Sequence, residues 1–212
     1  MVRFALIVLG LALAVLLPFA LWGDAFERAF SLDATVLWLE EAGRWAWLAA
    51  IGVLVADVVL PLPASSVMAA LGMVYGPLEG GAVAALGSFT SGLVAYGLCR
   101  AFGQGAFRVL AGAEGDAAAR ALFARAGGWV VAFSRWLPIL PETIACLAGL
   151  TAMRFRVFAA ALACGAIPLG FTFAAIGHLG VDAPVTTLIL CGVLPLGLWA
   201  LARPWARRLA AG

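Results

Sequence analysis

The chain alternates long apolar segments with short polar stretches. The apolar segments lie at about residues 4–22, 45–60, 64–78, 80–99, 129–152, 157–177 and 185–202. The first is a run of 19 uncharged residues, which as an α-helix is about 28 Å long and matches the hydrocarbon core of a bilayer. A cleaved signal peptide is the alternative for this run, but its apolar part exceeds the usual h-region of about 7–15 residues. The pattern predicts an all-α polytopic membrane protein.

Composition supports this prediction and excludes several classes of function. The chain is 65% hydrophobic and 11% charged, with a mean hydropathy of +1.09, values typical of integral membrane proteins. It contains no lysine, which excludes Schiff-base chemistry and a P-loop. A single histidine and the lack of G-x-S-x-G and H-E-x-x-H motifs argue against an enzyme. We expect no cofactor, no metal site and, at a net charge of +2, no nucleic-acid partner.

The polar stretches predict which side of the membrane each segment faces. Residues 23–44 are rich in acids, whereas residues 100–127 are rich in arginine, and the positive-inside rule makes the second stretch cytoplasmic. Both termini then lie in the cytoplasm, and the segments at about 45–79 and 129–153 each enter and leave by one face. They are predicted to be re-entrant hairpins. Full spanning by both arms is the alternative, but arms of about 13 residues are short for the core.

The two hairpins carry the same sequence pattern. In "VADVVLPLPASSVMAALGMVYG" (55–76) and "FSRWLPILPETIACLAGLTAMRF" (133–155), a charged residue precedes two prolines and a small apolar half-helix that ends at glycine. The corresponding residues are Asp57, Pro61, Pro63 and Gly72, and Arg135, Pro138, Pro141 and Gly149. Because the hairpins enter from opposite faces, the pattern predicts an inverted repeat, an architecture whose substrate site lies near the midplane.

The prolines predict a cavity between the hairpins. Proline interrupts a helix and leaves backbone groups unpaired, which a membrane tolerates only where the backbone is buried in protein or lines a wet cavity. Half-helices that begin near Ala64 and Glu142 would direct their positive N-terminal ends into it, favouring a phosphate or carboxylate. Ser65, Ser66 and Thr143 stand at those starts as candidate hydrogen-bonding groups.

Three charged residues in the hairpins are the main candidates for a substrate site. A charge at the bilayer centre costs at least about 2.5–3.5 kcal/mol. We therefore expect a role for each of Asp57, Arg135 and Glu142. A buried ion pair between Asp57 and Arg135 that locks the hairpins is one interpretation. The other is that Arg135 binds a phosphate while the two acids balance charge or engage an amine.

The helix predicted at 80–99 supplies two further candidates. Arg100 is most simply a snorkelling anchor at the cytoplasmic end, and Tyr96, one turn earlier, lines the cavity or the interface. The glycines of this helix favour close packing against another helix. That helix belongs to the same chain or to a second copy, so we expect a monomer or a homodimer. Each of the four cysteines lies alone in an apolar stretch and is expected to be a small buried side chain.

Three motifs together resemble the VTT-domain family, which includes the bacterial DedA proteins and the SNARE-associated Golgi proteins. They are "AALGMVYG", "YGLCRAFG" and "FSRWLPILPETIACLAGLTAMRFRVF", and the likeness covers roughly residues 45–180. The resemblance implies two re-entrant hairpins that meet in the membrane and a role in moving phospholipids or polyprenyl phosphate between leaflets. It places the family's functional acid on Asp57 and its R-x-x-P arginine on Arg135. The chain departs from the DedA pattern at Ser65-Ser66 and Pro141-Glu142, where DedA proteins often carry a second acid and a second arginine.

These observations predict three parts and one function. Residues 1–44 form a transmembrane helix and an external amphipathic segment, 45–180 the VTT-like domain, and 181–212 a transmembrane helix with a basic cytoplasmic tail. We expect a flippase or scramblase of the bacterial inner membrane, acting on an amine-bearing phospholipid such as phosphatidylethanolamine. An undecaprenyl-phosphate flippase coupled to an ion is the alternative, and an ion-coupled transporter of small solutes is a further one.

Overall fold

The computed structural model describes residues 32–60, 62–103, 127–137 and 140–179, together with isolated positions between 105 and 123. These residues form helices and turns, with no strand among them. The helices are α1 (Leu32–Ala42), α2 (Ala46–Ala56), α3 (Ala64–Leu98), α4 (Trp129–Ser134), α5 (Leu140–Leu150) and α6 (Phe155–Leu179). A 3₁₀ turn, Gly43–Trp45, joins α1 to α2, and a π-helical turn, Cys99–Gly103, follows α3. The predicted spans at 4–22 and 185–202 lie outside the described residues.

The predicted helix breaks agree closely with the observed ones. The half-helix expected near Ala64 begins at Ala64, and the one expected near Glu142 begins at Leu140. Asp57 and Arg135 are the C-terminal capping residues of α2 and α4. Each charged residue therefore stands at the start of a broken segment.

Helix α3 consists of two arms that meet at Gly76. Gly76 has φ 76° and ψ 173°, outside the helical region, and Pro77 follows it. A Cβ added to Gly80 would lie 2.6 Å from the carbonyl carbon of Leu71, although residues nine apart in a straight helix are separated by about 13 Å along its axis. The chain therefore turns back sharply at Gly76. The first arm completes a hairpin with α2, and the second is a separate long helix.

In the part of the chain that the structure describes, two helical stretches are long and apolar enough to cross a membrane, as judged by length and composition. They are Ala64–Gly103 and Phe155–Leu179. Because Gly76 divides the first of these, only the part after the break can act as a straight span. That part still exceeds the roughly 20 residues that a membrane helix needs.

The second arm of α3 packs antiparallel against α6 through glycines. A Cβ on Gly170 would lie 2.7 Å from the Cα of Ala85, and a Cβ on Gly92 would lie 2.8 Å from the Cδ2 of Leu162. Higher residue numbers on α3 meet lower ones on α6, which makes the helices antiparallel. Small residues at this crossing let the two backbones approach closely.

The close contacts of the first half recur in the second with their partners exchanged. Gly72 lies against Ala174, and Gly149, its counterpart in the repeat, lies against Tyr96. Corresponding residues differ in number by 77 or 78, as from Gly72 to Gly149 or from Tyr96 to Ala174. The matching contacts are Gly72–Ala174 and Gly149–Tyr96; Ala69–Gly177 and Cys146–Cys99; Ala85–Gly170 and Leu162–Gly92; and Leu54–Gly87 and Ala132–Gly165. One packing pattern is therefore used twice.

Two hydrophobic cores follow from this arrangement, one for each half. The first is built mainly from α1, α2 and the first arm of α3, and the second from the end of α3 with α5 and the start of α6. Val58, beside Asp57, packs against the second core, and Trp136, beside Arg135, packs against the first. The tip of each hairpin therefore reaches into the other half.

Three of the four cysteines lie among the described residues. Cys99, Cys146 and Cys164 are half-buried rather than fully buried. The thiols of Cys99 and Cys146 lie close together, a contact that the crossing of α3 and α5 creates and that their distance in the sequence hid.

The contact of Gly72 with α6 leads to a test of the packing. A Cβ on Gly72 would overlap the backbone of Ala174, including its Cα at 2.5 Å. We expect Gly72→Ala to lower the free energy of unfolding in detergent by about 1–3 kcal/mol, as overpacking of a close contact does. Gly97→Ala is the matched control, because nothing lies within 4 Å of its Cβ position. Equal stability of the two variants would contradict the crossing described above.

Candidate functional site

The break in the first hairpin is held by the side chain of Asp57. Helix α2 ends at Ala56, and Asp57 Oδ1 accepts a hydrogen bond of 3.0 Å from the backbone N–H of Leu62. Pro63 precedes α3 with ψ 76°, a non-helical conformation, which proline and its neighbours favour. The carboxylate thus pairs a backbone donor that the broken helix leaves without its usual partner. Pro61, the other predicted proline of this break, lies outside the described residues.

The break in the second hairpin places Arg135 and Glu142 on either side of it. Helix α4 ends at Ser134, with Arg135 as its C-terminal capping residue, and α5 begins at Leu140. Glu142 lies in the first turn of α5, where a negative charge is favourable beside the positive end of the helix dipole. Pro138 lies outside the described residues.

Arg135 reaches across to the second arm of α3. Its side chain is 8% exposed, and its Nη2 donates hydrogen bonds of 2.8 Å to both the carbonyl oxygen and the Oγ of Ser88. A Cβ on Gly165 of α6 would lie 2.9 Å from the Cγ of Arg135, so α6 has room for the side chain only because this residue is glycine. The guanidinium therefore sits where α3, α4 and α6 meet.

The three charged residues of the hairpins form one electrostatic cluster. Asp57 lies near enough to both Glu142 and Arg135 to interact with their charges, and Arg135 likewise interacts with both acids. The buried arginine therefore has two acids near it. The hypothesis of an ion pair between Asp57 and Arg135 stays a prediction.

The smaller candidate residues lie at the helix starts, as their sequence positions imply. Ser65 is exposed and Ser66 half-buried in the first turn of α3. Thr143 is buried and Pro141 half-buried in the first turn of α5. Pro63, half-buried, directly precedes α3. Their roles in binding stay predictions.

Tyr96 and Arg100 belong to a different part of the structure. The Tyr96 hydroxyl donates a hydrogen bond of 2.6 Å to the carbonyl oxygen of Met153, and Arg100 Nη1 donates to the same oxygen at 3.0 Å and to the Tyr96 hydroxyl at 2.6 Å. The Tyr96 ring stacks on Phe158 with centroids 4.3 Å apart. Tyr96 is eight residues, or about 12 Å of helix, beyond Ser88. The structure thus gives this pair a contact with the turn between α5 and α6, not with the charged cluster.

Two residues of the site were missed by sequence reasoning. Ser88 lies in the glycine-rich stretch "GSFTSG" and was passed over as part of a packing helix. A hydroxyl in a membrane-spanning helix was the available signal, because such groups seek partners within the protein. Gly165 carried no signal of its own, since its importance depends on where α6 crosses α4.

The site combines one buried guanidinium, two carboxylates and two helix N-termini. Such a set suits a ligand with an anionic and a cationic group, because each charge finds an opposite one. Among the residues that the structure describes, no three His, Cys, Asp or Glu side chains are grouped as metal ligands.

Comparison with known proteins gives one match. A family model described as the VTT domain matches residues 62–179, which is more than half of the chain. No curated protein matches the chain. No solved structure matches it either.

The hydrogen bonds of Tyr96 lead to a prediction of stability. Tyr96→Phe removes the hydroxyl that bonds Met153 and Arg100 while leaving the ring stack intact. We expect the free energy of unfolding in detergent to fall by about 1–2 kcal/mol, the usual effect of losing such bonds. Tyr75→Phe, at the other tyrosine of the chain, is the matched control. A Tyr96→Phe variant as stable as this control would show that the hydroxyl does not hold the turn.

Proposed function

Since the chain belongs to the VTT-domain family, we propose that it is a multi-pass transporter of the bacterial inner membrane that moves a phospholipid between leaflets. The observation that carries this proposal is the buried Arg135, grouped with Glu142 and Asp57 at the ends of broken helices. Ionisable groups inside membrane proteins are costly and commonly mark substrate pathways. No covalent step is involved.

An amine-bearing phospholipid such as phosphatidylethanolamine fits this charge set best. Arg135 pairs with the phosphate diester, and Glu142 and Asp57, the two acids that interact with Arg135, receive the ammonium. Such a lipid has no net charge, so its crossing is not opposed by the membrane potential. A polyprenyl phosphate would instead meet a cost of about 2.3 kcal/mol per charge per 100 mV and need an ion partner.

The proposed architecture is an inverted repeat of two re-entrant hairpins with both termini in the cytoplasm. It is supported by the antiparallel packing of α3 and α6 and by the contacts that recur with exchanged partners. A two-fold axis in the membrane plane would relate two halves of this kind. The charged cluster then lies near the midplane, and rocking of one half against the other opens it to each leaflet in turn.

Lipid exchange in vesicles tests the function. The full chain is reconstituted with headgroup-labelled phosphatidylethanolamine, phosphatidylglycerol or undecaprenyl phosphate, and exchange between leaflets is followed over time. We expect phosphatidylethanolamine to exchange fastest, and Arg135→Ala, Asp57→Asn and Glu142→Gln to slow it about tenfold or more. That factor corresponds to the loss of one charge-assisted hydrogen bond.

Matched controls remove similar charges elsewhere. Arg156→Ala and Glu79→Gln alter exposed residues and are expected to exchange lipid at the wild-type rate. Background exchange of all three lipids by folded wild-type protein would overturn the proposal. Preference for undecaprenyl phosphate would instead assign the alternative substrate to the same site.

Accessibility of the hairpin tips tests the architecture. Leu60 and Leu137, at the two tips, are 45% and 50% exposed. In a variant whose four native cysteines are alanine, Leu60→Cys and Leu137→Cys are expected to resist a membrane-impermeant maleimide added from the side opposite to hairpin entry. Tips that remain within the membrane are not reached from that side.

Cysteines placed outside the hairpins calibrate this labelling. Arg44→Cys is expected to react only from the external face and Arg154→Cys only from the cytoplasm, since both positions are exposed and flank opposite hairpins. Rapid reaction of Leu60→Cys from the cytoplasm would show that the arms of the first hairpin span the membrane fully.

A further inference from the structure

Among the described residues, the guanidinium of Arg135 makes its two hydrogen bonds through one nitrogen. Nη2 donates to the carbonyl oxygen and to the hydroxyl of Ser88, each at 2.8 Å, and Ser88 is 1% exposed. Nε is buried and has no hydrogen-bond partner among the described residues. The bonds of the guanidinium are therefore concentrated on a single residue of α3.

That nitrogen is the one a phosphate needs. A planar guanidinium binds oxyanions through two parallel N–H groups. Nη2 belongs to both available pairs, the side-on pair with Nε and the end-on pair with Nη1. An oxyanion that binds in this manner must therefore share or displace the oxygens of Ser88.

We propose that the Ser88 hydroxyl is an internal substitute for the phosphate of the substrate. Ser88 is a positioning residue that acts through Arg135, and this inference rests on the proposed function. In the empty site, the hydroxyl and carbonyl of Ser88 hold the guanidinium. When the lipid enters, a phosphate oxygen replaces the hydroxyl on Nη2.

The exchange serves both ends of the transport cycle. A buried cation without partners is strongly unfavourable, so an arginine that loses its lipid needs another acceptor at once. Competition from Ser88 also lowers the affinity for the lipid, which lets the lipid leave again. The hydroxyl thereby stabilises the protein when no lipid is bound.

The repeat supports the link between the hydroxyl and the arginine. The residue of α6 that corresponds to Ser88 is Ala166, which is fully buried and has no hydroxyl. By the same correspondence, the counterpart of Arg135 is Asp57. A side-chain hydroxyl is thus present opposite the cation and missing from the equivalent place opposite the acid.

A purely structural role for Ser88 makes the opposite prediction. If the hydroxyl only stabilised the fold or oriented Arg135, its removal would weaken lipid binding. If it competes with the phosphate, its removal strengthens binding even though a hydrogen bond of the empty protein is lost. A loosened fold does not by itself raise affinity.

Binding of short-chain phosphatidylethanolamine to the purified full chain in detergent separates the two. We expect the Kd of Ser88→Ala to fall about fivefold to tenfold, the size of a charge-assisted hydrogen bond. Ser88→Cys keeps a similar volume with a poor acceptor and is expected to shift in the same direction, giving a second measurement should the alanine variant not fold. Ser88→Thr retains the hydroxyl and is expected to bind as the wild type does.

The controls distinguish failure of this inference from failure of the proposed function. Thr90→Val removes a hydroxyl whose bond among the described residues goes to the Leu86 carbonyl of its own helix, and it is expected to leave the Kd unchanged. Short-chain diacylglycerol tests for binding without phosphate. Loss of binding in Arg135→Gln with an unchanged or raised Kd in folded Ser88→Ala would overturn the role of Ser88 alone. Wild-type binding by Arg135→Gln would overturn both.

Discussion

The close crossing of α3 and α6 is the constraint on which the rest of the structure depends. Lipid offers no hydrophobic drive for helices to associate, so their packing rests on close backbone contact at small residues. Gly170 against Ala85 and Gly92 against Leu162 provide that contact and fix the helices antiparallel. Their crossing brings the two hairpin breaks to one region. Without it, Asp57 would lie apart from Arg135 and Glu142.

The charged cluster depends on this crossing for each of its partners. Arg135 reaches Ser88 on α3 because Gly165 on α6 leaves room for its side chain. Glu142 approaches it from the start of α5, and Asp57 approaches from the opposite hairpin. The buried cation is thus balanced by groups from both halves, which makes the site a property of the assembled fold and of neither hairpin alone.

The helix breaks could be predicted from local chemistry, whereas the contacts across the fold could not. Proline and the charged residues before it have consequences within a few residues, so the start at Ala64 and the ends at Asp57 and Arg135 follow from the sequence. The partners of Tyr96 and Arg100 lie on a turn more than fifty residues away in sequence, which no local pattern reveals. Ser88 was missed for the same reason. The family resemblance, in contrast, is confirmed over residues 62–179. A combination of short motifs can be recognised in the sequence without knowing which residues are in contact.

The exchange of Val58 and Trp136 between the two cores has a consequence for how the protein is made. Val58 leaves the ribosome well before most of the second core, which includes residues as late as Leu162, has been synthesised. The first hairpin is therefore synthesised with its tip unpacked and with Asp57 still lacking its oppositely charged neighbour. Synthesis of the first half and completion of its packing are separate events in time.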